Sequence, residues 1–211
     1  MSRFTISSQQ YGEEEMLPDI PLRYPNLVWS GAAVLSWYQE NERLVFQIAE
    51  GEGYVLRFGV LDAMKRIALA FHTFPHVFFV RVALFSEQHW LWGRRKHRMF
   101  PGQFQVRAVR GAEELNPLPG KTVFIDAFCS GELAAELSVL FPRLQAFLER
   151  AGEKGFMATP VAWAPSSAME ELYNCMQSPT VEDLEEHLSG DRMKDLFTIL
   201  LKQVFDGEER K

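Results

Sequence analysis

The histidines are the first residues to test for chemistry, because imidazole is the commonest metal ligand in proteins. One arrangement that binds a metal inside a β-barrel has two histidines one residue apart on a strand, with a glutamate and a third histidine on the same face. The nearest pair here is His72 and His76, which have Pro75 between them, and no His-x-His occurs in the sequence. The remaining histidines are scattered: His89, His97 and His187. We therefore predict no metal site and no cofactor.

Nucleophilic catalysis is the second possibility. Cys129 ends an apolar run just before a helix start, where the pKa of a thiol can be depressed, although a small buried core residue fits the same pattern. Cys175 lies beside Met176 in a predicted helix and is typical of a core residue. The sequence contains no Gly-x-Ser-x-Gly, no Walker-type phosphate loop and no dinucleotide fingerprint. We predict no catalytic residue and a function other than catalysis.

Ligand binding has a stronger basis, because aromatic residues and a few polar ones are close together in the sequence. The rings of His72, Phe74, Phe78, Trp90 and Trp92 can line a cavity or can simply fill a β core. A small molecule in such a cavity would need polar anchors. The predicted ligand-binding residues are His72, His76, Phe78, Arg81, Trp90 and Trp92.

A basic run occurs at Arg94-Arg95-Lys96-His97-Arg98, between Trp92 and Pro101. Its position predicts the tip of a hairpin, which is either solvated or in contact with an anionic ligand or partner. The run lacks the helical context of a protein that reads a DNA groove. The net charge of -6 also disfavours non-specific binding to DNA or to an anionic membrane.

The front of the chain is typical of strands separated by turns. Residues 1–25 form a polar arm in which Pro18, Pro21 and Pro25 oppose regular structure. A short helical turn fits residues 61–68 as well as a strand does. The predicted strands are 33–38, 44–48, 54–58, 66–71, 76–85, 88–93, 104–108 and 123–128. Many short strands of this kind favour a sandwich or barrel.

The last third is typical of helices, because apolar residues recur there at helical spacing. We predict helices at 131–140, at 142–150 before Gly152, at 166–176, and from Thr180 to about 205 with a break at Gly190. The last helix has a broad apolar surface that either covers its own domain or meets a partner. The predicted dimer interface consists of Leu196, Phe197, Leu200, Leu201 and Val204.

The composition is that of a globular protein, with 47% apolar and 13% aromatic residues. No secretory signal and no apolar run of about 20 residues is present. The two cysteines lie in unlike contexts, which argues against a disulfide and favours a cytoplasmic location. We divide the chain into a polar arm (1–25), a barrel (26–129) and a helical subdomain (130–211).

Taken in order, several segments resemble the sensor portion of AraC/XylS-type transcriptional regulators, especially Bacteroidota-like members. The resemblance covers about residues 28 to 205. It is carried by Trp90 and Trp92, by 100–104 (FPGQF), 124–126 (FID), 132–137 (ELAAEL), 141–148 (FPRLQAFL), 165–169 (PSSAM) and 192–201 (RMKDLFTILL).

The resemblance implies an α+β fold, in which a cupin-like antiparallel barrel that senses a small-molecule effector is followed by C-terminal helices that form a homodimer. It also implies paired helix-turn-helix units, which nothing in this chain supplies up to Lys211. We therefore expect a ligand-sensing and dimerisation domain whose DNA contacts depend on a domain missing from the chain. The alternatives are a metal-dependent enzyme of the cupin class, such as an isomerase or dioxygenase, and a truncated partner that inhibits full-length regulators.

Overall fold

The computed structural model describes residues 5–8, 11–18, 32–40, 42–65, 69–71, 76–85, 87–92, 95–109, 113–115, 119–177, 186–187 and 189–206. Most of the predicted strands are present, and several are longer than predicted. The strands are β1 (Thr5–Ser8), β2 (Gly12–Glu15), β3 (Ala33–Gln39), β4 (Glu42–Gly51), β5 (Tyr54–Ala63), β6 (Leu69–Phe71), β7 (Phe78–Ala83), β8 (Gln88–Trp92), β9 (Arg95–Met99), β10 (Gln103–Val109), β11 (Glu113–Leu115), β12 (Gly120–Cys129), β13 (Phe156–Ala158) and β14 (Ala162–Trp163).

The main sheet is antiparallel, in the order β13-β10-β7-β12-β5-β4-β3, and β14 also pairs with β10. Its central strands are rich in Val, Ile and Phe, residues that pack well on a pleated surface. Strand β12 lies between β5 and β7, and pairs with β5 along its whole length. Strands that are far apart in the sequence therefore become direct neighbours.

The two faces of the main sheet have different partners. One face, which we call the inner face, carries Leu44, Phe46 and Phe124, and these residues pack with Leu69 of β6. Strand β6 belongs to a second sheet with the order β11-β6-β1-β2. The opposite or outer face is covered by helices. Because successive side chains of a strand point to opposite faces, each central strand contributes to both environments.

The helices that the structure describes over their full length are α1 (Gly131–Leu140), α2 (Pro142–Lys154), α3 (Ser166–Gln177) and α4 (Gly190–Leu201), the last continued by a π-helical turn (Lys202–Asp206). Pro142 begins α2. Its lack of an N–H costs nothing there, because the first N–H groups of a helix have no partner within the helix. This helix runs past the predicted end at Gly152. It stops at Gly155, whose φ of 77° is a left-handed C-cap conformation.

Helix α4 packs on the outer face of its own chain. Leu196, Phe197, Leu200 and Leu201 are each at most 2% exposed. The ring of Phe197 makes an edge contact with Phe78 of β7, with centroids 5.8 Å apart. The assignment of these residues to a dimer interface is therefore corrected, since their apolar surface is used to cover the sheet. Of the predicted interface, Val204 alone is only partly buried, and it packs against the same core.

The N-terminal arm has more structure than its proline content suggested. Strands β1 and β2 form an antiparallel hairpin, and β1 also pairs with β6. The side chain of Glu14 accepts hydrogen bonds from Trp37 and Gln39 of β3. These contacts bring a polar segment into the fold, a result that its local sequence does not reveal.

Two further differences concern element boundaries. Residues 61–63 continue β5 and do not form a helical turn. Strands β13 and β14, which lie within the predicted helical subdomain, return to pair with β10. The described residues thus form antiparallel sheets with a helical layer, and the predicted α+β fold class is confirmed.

Candidate ligand site on the inner face

Four polar side chains form a row across the inner face of the main sheet. Asp126 of β12 is the direct partner of Arg57 on β5 and of Arg81 on β7. Arg81 is in turn the direct partner of Gln105 on β10. Residues directly opposite each other on neighbouring strands share a face. All four side chains are nevertheless buried, and none of the four residues is more than 4% exposed.

Asp126 is the centre of a guanidinium–carboxylate–guanidinium cluster. Arg81 donates from Nε to Oδ1 over 2.6 Å and from Nη2 to Oδ2 over 2.7 Å. Arg57 donates to Oδ2 only, from Nε over 3.1 Å and from Nη2 over 2.6 Å. Arg81 thus holds the carboxylate with a two-pronged contact, whereas Arg57 uses a single oxygen. The three side chains together contain two positive charges and one negative charge.

Aromatic rings surround the guanidinium groups. The Cζ atom of Arg57 lies 4.6 Å from the ring centroid of Phe46 and 4.8 Å from that of Phe128. The Cζ atom of Arg81 lies 4.4 Å from the ring centroid of Phe124. A cation over a ring face is attracted by the ring quadrupole, and the attraction increases when water is excluded. The rings therefore offset part of the cost of burying two cations.

Gly59 makes room for one of these rings. It pairs with both Phe46 and Phe124 across the sheet. A Cβ atom at this position would lie 2.4 Å from the ring of Phe124. The absence of a side chain at Gly59 therefore allows Phe124 to lie flat enough to cover Arg81.

A second polar group continues the row along β10. Gln105 donates from Nε2 to the carbonyl oxygen of Thr159 over 2.6 Å and accepts from Nε of Arg107 over 2.9 Å. The backbone N–H of Val106 donates to the hydroxyl of Thr159. Thr159 follows β13, so the segment after α2 helps to orient Arg107. Arg107 is 2% exposed.

The predicted ligand-binding residues lie in different places. Arg81 is at the centre of the cluster. His76 lies at its margin, with its ring centroid 4.9 Å from that of Phe128. Phe78 is on the outer face against α4, so it is removed from the candidate site. His72 lies outside the described residues. Trp90 and Trp92 have a described backbone in β8, but their side chains are outside the described part of the chain.

Sequence reasoning missed Arg57, Asp126 and the rings that cover the arginines. A signal for them was present, because each charged residue interrupts an apolar run: Leu56-Arg57-Phe58 and Ile125-Asp126-Ala127. Val80-Arg81-Val82 follows the same pattern. Charged residues in the middle of buried strands are rare unless they are paired. The pattern identifies candidates, but it does not say which ones meet.

The described residues contain no group of three or more His, Cys, Asp or Glu side chains able to hold a metal ion. Both oxygens of Asp126 accept from guanidinium groups, which have no lone pair to offer a cation. The two thiols are on the helix-covered side of the sheet. Burial raises the pKa of Cys129, and burial followed by the charge of Glu171 raises the pKa of Cys175 to about 12. Neither thiol is a thiolate near neutral pH.

The predicted hairpin is formed by β8 and β9, but Arg95 to Arg98 of the basic run lie along strand β9 and not at the tip of the hairpin. At its base, Arg98 donates from Nη2 to Glu87 over 2.9 Å, and His89 lies 2.5 Å from the same carboxylate. The hydrogen bond from Arg98 lowers the pKa of Glu87. Arg98 therefore has an acidic neighbour within its own chain.

No protein-family model and no curated protein matches the sequence. Among solved structures, the chain is similar to the AraC-like transcriptional activator CuxR, with 12% identity and a TM-score of 0.43 over 79% of this chain and 61% of that chain. It is also similar to the Clostridium difficile EutQ protein, with 8% identity and a TM-score of 0.33 over 46% of this chain and 70% of that chain.

A third similarity is to the cupin domain of Schizosaccharomyces pombe Cnp3, with 10% identity and a TM-score of 0.33 over 64% of this chain and 93% of that chain. The match to CuxR leaves more than a third of that chain uncovered. At these scores the similarities do not establish a shared activity. Within the described residues, no helix has both the length and the hydropathy needed to cross a membrane.

Proposed function

We propose that this chain is the ligand-sensing domain of an AraC-type transcriptional regulator, which binds a small effector at the inner face of the main sheet. The observation that carries the proposal is the row of buried polar side chains centred on Asp126. Replacing a buried ion pair with apolar residues is often neutral or stabilising, so a buried charged cluster is a candidate functional site. Polar groups that converge among aromatic rings are also typical of small-molecule sites.

The same strands connect this site to the helical layer. On β7, Arg81 faces the cluster while Phe78 faces outward and contacts Phe197 of α4. On β12, Asp126 faces inward, while Ile125 and Ala127 on either side of it face the helices. A shift of these strands on effector binding would therefore change the position of α4 on the outer face of the sheet. Effector binding can drive such a change only through a difference in affinity between two conformations.

Hydrogen exchange in the presence of a panel of sugars, sugar acids, amino acids and small carboxylates tests the proposal. A compound that binds should raise the melting temperature, slow exchange in β5, β7 and β12, and alter exchange in α4. The proposal is wrong if every compound that stabilises the protein protects another surface and leaves these three strands unchanged.

We further propose that the domain is not an enzyme. The described inner face presents guanidinium groups and rings, and its central carboxylate is engaged by two arginines. The rival, a cupin-class metalloenzyme, predicts about one iron, zinc or manganese ion per purified chain and turnover of the bound compound. Elemental analysis and product detection decide between the two. DNA binding, a cytoplasmic location and the inhibitory-partner alternative remain predictions from the sequence.

A further inference from the structure

A cleft lies in the helical layer on the outer side of the main sheet. It has a volume of about 450 Å³, and it lies between the junction of α1 with α2 and the π-helical turn that follows α4. The described residues that line it are Phe141, Pro142, Arg143, Phe205 and Asp206. Cavities of this size are typical of small-molecule sites. We propose that the cleft binds an apolar amino acid, as a second ligand site that is independent of the candidate site on the inner face.

The interior of the cleft is apolar. Phe141 and Phe205 are only 3% and 8% exposed, and both belong to the core of the outer face. The ring of Phe205 makes an edge contact with the ring of Phe147, with centroids 5.8 Å apart, so its position is fixed by the core. Pro142 adds an exposed apolar edge. A hydrocarbon group in the cleft would therefore leave water for contact with side chains that are already held in place.

The rim of the cleft contains one charge of each sign, because Arg143 and Asp206 are both exposed. Arg143 donates from Nη1 to the carbonyl oxygen of Phe205 over 3.1 Å, which holds its guanidinium group beside the cleft. A guanidinium group has five N–H donors and can serve several acceptors at once, a carboxylate among them. Asp206 provides a carboxylate for a cation. A ligand with a carboxylate, an ammonium group and an apolar body matches this arrangement, and an apolar amino acid is such a ligand.

The backbone on one side of the cleft is unusual. Residues Lys202–Asp206 form a π-helical turn. Such turns are rare and occur frequently at functional sites. This one places a buried aromatic residue, Phe205, directly before an exposed acidic residue, Asp206. Since Arg143 is at the start of α2, a bound amino acid would connect the beginning of α2 with the turn after α4.

Calorimetric titration at constant pH and ionic strength tests the inference. L-Phenylalanine has all three features of the ligand, 3-phenylpropanoate lacks the ammonium group, and 2-phenylethylamine lacks the carboxylate. L-Leucine is a second apolar amino acid. We expect L-phenylalanine to bind saturably, with an affinity about tenfold or more above that of either analogue, because each analogue gives up one interaction between charged groups.

Two variants of the rim assign the charges of the ligand to their partners. Arg143→Gln should weaken the binding of L-phenylalanine about tenfold and leave that of 2-phenylethylamine unchanged. Asp206→Asn should weaken the binding of L-phenylalanine and leave that of 3-phenylpropanoate unchanged. The controls are Arg150→Gln and Asp195→Asn, which alter exposed residues of α2 and α4 and should keep the wild-type affinity. Hydrogen exchange of the wild-type complex should be slowed at the start of α2 and in the π-helical turn.

The inference is overturned if neither amino acid binds, if L-phenylalanine binds no better than both analogues, or if the two rim variants behave like their controls. Protection of β5, β7 and β12 in place of the cleft would also overturn it, and would support the sensing function of the inner face. Conversely, if no compound protects those strands while L-phenylalanine protects the cleft, the inner-face site is wrong and the cleft site stands. The two proposals can therefore fail separately.

Discussion

The inner and outer faces of the main sheet solve the problem of burial in opposite ways. The outer face excludes charge in its described part and packs Val, Phe and Cys side chains against helices α1 to α4. The inner face buries two arginines and an aspartate, compensates their charges across three strands, and covers them with rings. Both faces are formed by the same strands, β5, β7 and β12, whose successive residues point alternately to one face and to the other. Because side chains alternate along a strand, residues that form the apolar core and residues of the candidate site lie on opposite faces of the same strands.

The comparison shows where the protein tolerates change. The outer face depends on shape and apolar area, so any charge there is costly. The inner face depends on matched charges, so removing one partner is more harmful than altering shape. The predictions below test the two faces in turn.

The largest effect is expected for Leu200→Asp. Leu200 is 1% exposed in the apolar core of its own chain, so a carboxylate there should lower the free energy of unfolding by more than about 4 kcal/mol. Urea unfolding followed by circular dichroism measures the change. The matched variant Lys202→Asp, at an exposed position on the following π-helical turn, should stay within about 0.5 kcal/mol of the wild type.

This variant also distinguishes the structure from the dimer hypothesis. If α4 mediates a homodimer through Leu200, the variant should remain folded and sediment as a monomer while the wild type sediments as a dimer. A Leu200→Asp protein with the stability of the wild type would therefore contradict the packing of α4 on the outer face.

The next largest effect is expected for Asp126→Ala. It leaves Arg57 and Arg81 buried without their shared carboxylate, and removing one partner of a buried ion pair costs about 3–5 kcal/mol. The same urea experiment measures it, with Asp195→Ala on the exposed side of α4 as the control. A loss below about 1 kcal/mol would mean that the cluster contributes little to the inner face.

A smaller effect is expected for Gly59→Ala. The added methyl group would lie 2.4 Å from the ring of Phe124, so the ring must move off Arg81, at a cost of about 1–3 kcal/mol. Gly190→Ala is the matched control, because nothing lies within 4 Å of a Cβ atom there. If both variants have wild-type stability, the inner face has more free space than the contact between Gly59 and Phe124 allows.

The smallest effect is expected at alkaline pH, where a buried thiol on the helix-covered side of the sheet should lower the free energy of unfolding. No such effect is expected near neutral pH. The pKa of Cys175 is raised to about 12 in the folded protein from an ordinary value of 9.0. A raised pKa means that this thiol's contribution to stability is complete below the unfolded-state pKa and is lost as the pH rises from there towards the folded-state value. The free energy of unfolding of Cys175→Ala should therefore fall less steeply than that of the wild type between about pH 9 and pH 12. Parallel curves would show that the thiol is not desolvated.

Local sequence rules predicted much of the architecture. The bounds of α1 and the start of α3 agree with the structure, because apolar spacing and end signals act over only a few residues. The break before α4 at Gly190 was likewise predicted. The hairpin of β1 and β2 was missed, because its stability comes from contacts with β3 and β6 rather than from its own polar residues.

The candidate site was predicted only in part. Arg81 was selected from the sequence, but Phe78, three residues earlier, was selected with it although it faces the opposite side. The choice of face depends on register, and a shift of one residue would exchange the two sets of side chains. Register is set by neighbouring strands and turns, which the local sequence of β7 does not contain.

By itself, then, the sequence determined most of the strands and helices and that the chain combines sheets with a helical layer, because periodicity and end signals are local. Only the tertiary structure decided that Asp126 meets Arg57 and Arg81, which are 69 and 45 residues away along the chain. It also decided that the apolar surface of α4 covers its own sheet. Both outcomes depend on the free energy of packing distant segments together, and no single segment encodes that quantity.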